Sequence, residues 1–173
     1  MTPRTATRRE RADALGREHA ARTVDRYGTR EPRRIAQAAG VTVRTDEWGG
    51  LSSLALLGTY ADGTVTLYTR QIAAAAAAVD VSESLATELV LAHELAHHTF
   101  AVDPPTFGET EQSGCRRWLS ALLPGRRDGL SRDLEEVAAH AFVATLVPES
   151  TGEALDALRT YCPQTDPSIR YSE

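Results

Sequence analysis

The chain has 173 residues, enough for one domain with a real core. Apolar residues make up 42% and charged residues 25%, ordinary for a globular protein. No apolar run reaches the roughly 18 residues that span a bilayer. The arginine-rich amino terminus lacks the apolar segment of a secretory signal, so the expected compartment is cytoplasmic, with Cys115 and Cys162 as free thiols.

Residues 1–34 carry ten arginines against five acids, although the whole chain has a net charge of −5. Alternation with Glu10, Asp13, Glu18 and Asp25 suits a solvated basic helix, and no direct nucleic-acid binding is expected from it. That helix should run from about Thr7 to Tyr27, where Gly28 stops it. A second, over residues 30–40, has Pro32 in its first turn and Gly40 as its stop. Residues 41–48 alternate as a strand, and "GG" at 49–50 breaks it. Two further strands, 54–60 and 64–69, flank a hairpin turn, "ADG". A helix over 70–79 follows, then one over 82–100 with Ser82 as N-cap and Leu85, Leu89, Ala92 and Ala96 on one side. A short helical piece is expected around 110–123, a loop at 124–129, and a strong helix over 131–148 capped by Ser131 and ended by Pro148. A last helix covers 150–161. The order of elements, helix then small sheet then several helices, predicts an α+β fold with a three-stranded antiparallel or mixed sheet.

One stretch carries chemistry: "LAHELAHHTF", residues 91–100. His93 and His97 lie four apart and share a helix face, so both imidazoles can reach one ion. Glu94 is offset around the helix, placed to serve a water rather than the ion. Zinc suits this pattern, since it accepts neutral imidazole and keeps an open position for water. His98 points about 100° away from His97, toward the surface or a supporting role. Asp103 has the spacing of an extended zinc motif, but Phe100 stands where that motif needs glycine, and the only methionine is Met1. The other source of a third ligand is the helix at 131–148, which offers Glu135 and Glu136. Glu136 shares a face with Ala139 and His140, and Glu135 faces Ala138 and Ala139. His19 reads as a surface histidine.

"HELAHH" (93–98) followed by "EVAAHAFVATLVP" (136–148) resembles the ImmA/IrrE family of zincin-like metallopeptidases. "EPRRIAQAAGVTVR" (31–44) and "LLGTYADGTVTLYTRQ" (56–71) are similar to that family's first helix and strand and to its hairpin. The resemblance implies a zincin-like domain over 31–161, preceded by a basic helical arm (1–30) and followed by a tail (162–173). It implies His93, His97 and Glu136 as zinc ligands, with Glu135 as the neighbouring alternative, and Glu94 as general base. It also implies a protein substrate or partner, a helix-turn-helix repressor, which the chain either cleaves or, as an inactive zinc-stabilised binding module, sequesters. His140 departs from the family, which has Asn or Asp there. An imidazole at that place either hydrogen-bonds a ligand histidine or becomes a fourth ligand and closes the site. In zincin-like folds an edge strand lines the cleft, and 64–69 is the expected one. Tyr60 and Tyr68 either line the cleft or simply cover the sheet.

Overall fold

The computed structural model describes residues 6–48, 56–104, 131–147, 154, 157 and 158. In chain order these form α1 (Arg8–Tyr27), α2 (Pro32–Ala38), β1 (Thr42–Asp46), β2 (Gly58–Ala61), β3 (Thr64–Tyr68), α3 (Thr69–Ala78), α4 (Glu83–Val102) and α5 (Arg132–Leu146). The class is α+β, with a small mixed sheet among these helices. The glycine break at 49–50, the helical piece at 110–123, the loop at 124–129, both cysteines, Pro148 and the tail lie outside the described residues. Of the helix expected over 150–161, Ala154, Ala157 and Leu158 are described and helical. Among the described residues, no helix is long and apolar enough to cross a membrane.

Local chemistry sets most boundaries. Thr7 and Glu10 form a reciprocal capping box at the start of α1: the Thr7 hydroxyl accepts from the Glu10 amide, and the Glu10 carboxylate accepts from the Thr7 amide. Gly28, at φ 66°, ends that helix in the left-handed conformation. Ser82 Oγ accepts from the Leu85 amide and caps α4 at 3.2 Å. Ser131 stands at the N-cap of α5, but its side chain makes no capping bond, contrary to expectation. Its carbonyl instead accepts from Leu134 and Glu135.

The sheet order is β1-β3-β2. β2 and β3 form the expected antiparallel hairpin, turning at Asp62 and Gly63, both with positive φ. β1 returns parallel to β3, pairing Thr42 with Thr64 through Asp46 with Tyr68. β3 is therefore the central strand, not the edge expected to line the cleft. Parallel pairing with β1 takes up its second side, and Val65 and Leu67 are fully buried beneath it. The edge nearest the helices that bear the motifs is β2.

α4 is the hub. It contacts α1, α2, α3, α5, β2 and β3, which is why Leu89, Leu91, Ala92, Leu95 and Ala96 are all at most 1% exposed. α1 packs extensively along α5 through a face of small residues, Ala12, Gly16 and Ala20. Hydrophobic periodicity reads such a face poorly because its residues are too small to stand out. Arg30 extends the attachment, donating to the Thr145 carbonyl near the end of α5 at 2.6 Å. His19 belongs to the same buried face at 1% exposure, correcting its expected surface position. It meets the Phe100 ring edge-on, and burial foremost, aided by Arg22, lowers its pKa against the opposing pull of Asp103 and Glu18.

Gly16 tests this packing with a reversed sign. Replacing a helical glycine with alanine normally stabilises by about 0.5–1 kcal/mol. Here an added Cβ would run into the Ala138 carbonyl oxygen, a backbone atom, so α1 and α5 would have to separate. Gly16→Ala should lower stability by about 1–3 kcal/mol in urea denaturation. A variant as stable as wild type, or more so, would contradict the close approach.

Candidate metal centre

α4 presents His93 and His97 one turn apart, and α5 brings Glu135, Glu136 and His140 against them. His93 Nε2 lies 3.3 Å from His97 Nε2 and 3.3 Å from the Glu136 carboxylate. His97 Nε2 lies 3.6 Å from that same carboxylate. Donor atoms about 2.0–2.2 Å from one tetrahedral ion are about 3.3–3.6 Å apart. His93, His97 and Glu136 thus form a triangle of side chains at near metal-ligand spacing, in which Glu136 turns Oε2 to His93 and Oε1 to His97. Among the described residues, His93, Glu136 and His140 also form a group whose ligand atoms all lie within 4.8 Å, able to hold a metal ion. The two sets share His93 and Glu136. His97 completes one and His140 the other.

The adjacent glutamates, which helix phase alone leaves as alternatives, occupy different places. Glu136 stands on the Nε2 side of both histidines. Glu135 Oε1 lies behind, 3.0 Å from His97 Nδ1. An ionised carboxylate only accepts, so this contact favours the tautomer with the proton on His97 Nδ1, which leaves Nε2 facing Glu136. Carboxylate support of this kind orients metal-binding histidines. A hydrogen bond from His93 holds the Glu136 carboxyl down at about 2, with burial opposing it and the neighbouring imidazoles of His93, His97 and His140 helping. Glu136 is thus an anion across the neutral range.

Glu94 is only 7% exposed. Burial pushes its carboxyl pKa up, with His93 and His97 pulling it down and Glu136 raising it further. It lines a cleft of about 290 Å³ together with His93, Glu136 and His140, and Leu57, Leu89 and Leu158 supply apolar wall. Gly58 of β2 lines the same cleft, and sequence reading missed it. A Cβ there would stand 2.8 Å from Val90 Cγ1 and 3.0 Å from Glu94 Oε1, so any side chain at this position would push on Val90 and on the carboxylate. The available signal was a glycine inside the strand expected over 54–60, a position that often marks a close backbone approach.

Other candidates have different employment. Asp103 is at the C-cap of α4 and pairs with Arg22 at 3.3 Å. His98 Nδ1 and the Tyr60 hydroxyl share a hydrogen bond at 3.0 Å, and that hydroxyl accepts from the Gly63 amide, tying α4 to the hairpin. Burial lowers the His98 pKa, in keeping with a neutral imidazole. Tyr68 stands edge-on to Trp48. Neither tyrosine is among the residues lining the cleft.

No family model, no curated protein and no solved structure matches this chain.

The position behind His97 gives a direct test. Glu135→Ala should weaken zinc binding by roughly 10- to 100-fold, read by competition with a chromogenic chelator. Unchanged affinity would remove Glu135 from the centre.

Proposed function

We propose that the chain is a zinc-dependent endopeptidase in which His93, His97 and Glu136 hold the ion and Glu94 is the general base. The observation that supports it most is the convergence of His93, His97 and Glu136, with contacts of 3.3–3.6 Å through both Glu136 oxygens, beside the cleft that the buried Glu94 carboxylate lines. A zinc ion held by these residues would supply Lewis-acid chemistry, polarising a carbonyl and lowering the pKa of water into the neutral range. Glu94 accepts the proton of the attacking water and later delivers it to the leaving amine. Glu135 keeps His97 in the tautomer that faces the triangle, and Gly58 leaves room for the Glu94 carboxylate beside β2. An extended peptide can add to the outer edge of β2, next to the cleft, through backbone hydrogen bonds.

The substrate class follows from the motif resemblance alone. "HELAHH" with the downstream "EVAAHAFVA" is similar to ImmA/IrrE peptidases, so the substrate is a cytoplasmic helix-turn-helix repressor. One observation favours a second reading. His140 stands close enough to His93 and Glu136 to join a metal group, and a site closed by it would bind a repressor without cutting it.

Glu94→Gln separates the two. It preserves size and hydrogen-bonding shape while removing the basic carboxylate, so zinc content should be near normal. Cleavage of a repressor captured with this variant should fall by roughly 100-fold or more relative to wild type. If wild type and variant both bind the captured protein and neither cleaves it with zinc present, the peptidase is ruled out and the binding module stands.

A further inference from the structure

His93 and His97 are four residues apart on α4, and Glu136 and His140 are four residues apart on α5. Each helix thus offers two metal-binding side chains on one face, a turn apart. His93 lies between two other imidazoles, its ring centroid 5.0 Å from that of His97 and 5.1 Å from that of His140. Donor atoms of His93, Glu136 and His140 fall within 4.8 Å of one another, while the His93, His97 and Glu136 donors are already 3.3–3.6 Å apart. Each of the four residues thus places a donor atom near the others on the scale of one metal site.

We infer that His140 is a fourth, displaceable protein ligand to the ion held by His93, His97 and Glu136. In the resting protein the ion then has no open position, and a metal-binding group entering the cleft takes the place of His140. The two outer histidines are not equivalent. His97 is fixed from behind by Glu135 and sits inside the tight triangle. His140 lines the cleft itself, where an incoming ligand arrives. This inference rests on the metal reading above, but it goes beyond it: the peptidase would be latent until its cleft is filled.

X-ray absorption at the zinc edge counts bound imidazoles directly and does not depend on activity. On the full chain loaded with one equivalent of zinc, three imidazoles are expected in wild type and two in His140→Ala. Adding saturating acetohydroxamate to wild type should reduce the count to two with zinc retained. Two imidazoles in wild type before any addition would overturn the inference and leave the metal site standing. Three imidazoles that persist in excess hydroxamate would overturn displaceability and make the ion permanently closed. A wild type that binds no stoichiometric zinc would overturn the metal site and this inference together.

Discussion

The site depends on α4 and α5 approaching closely enough for a carboxylate on one to reach two imidazoles on the other. Small side chains make such an approach feasible: Ala92 and Ala96 of α4 and Ala138 and Ala139 of α5 are all fully buried. Phe100 and Phe142 meet edge-on across the same pair of helices, with centroids 6.4 Å apart. α1 reinforces α5, because Gly16 lets its backbone lie against Ala138. A helix expected as a basic appendage is thereby packed against the element that carries Glu136. Loss of that packing would let α5 shift, and a shift of an ångström would spoil a triangle with 3.3 Å edges.

Function grows from the same arrangement. Because α4 is surrounded, Glu94 is buried although it neighbours a histidine that faces the cleft. Burying a carboxylate is costly unless something charged or polar compensates. A cation in the adjacent triangle would provide that compensation, as would a water positioned to lose a proton. Gly58 brings the β2 backbone close to the Glu94 carboxylate at the wall of the cleft. His93, His97, Glu136, Glu94 and Gly58 are thus all carried on packed helices and a strand, which favours a constellation held to tight tolerances.

Much of this was legible in the amino-acid pattern. The histidine spacing, the Gly28 and Gly40 stops, the "ADG" turn and the α+β class all follow from local rules that act within a few residues. Resolving Glu135 from Glu136 needed the structure, because both lie toward the facing helix and only the docking of α5 on α4 decides which one meets Nε2. The central position of β3 was hidden for a similar reason: β1 pairs with it across an intervening strand, and hairpin signals say nothing about such long-range order. The buried face of α1 was obscured by its chemistry, since Ala12, Gly16, His19 and Ala20 make no hydrophobic stripe. His19 is buried because it falls in register with those small residues, a matter of phase rather than polarity.

The most direct test of the metal centre is the zinc content of purified wild-type protein beside Glu136→Ala, determined by elemental analysis after removal of loosely bound ions. Three protein ligands converging from two helices should retain about one zinc per chain in wild type. Glu136→Ala should retain much less, because the triangle then loses its only anion. A wild type free of zinc, or a Glu136→Ala protein that keeps its full complement, would contradict a metal centre built from α4 and α5.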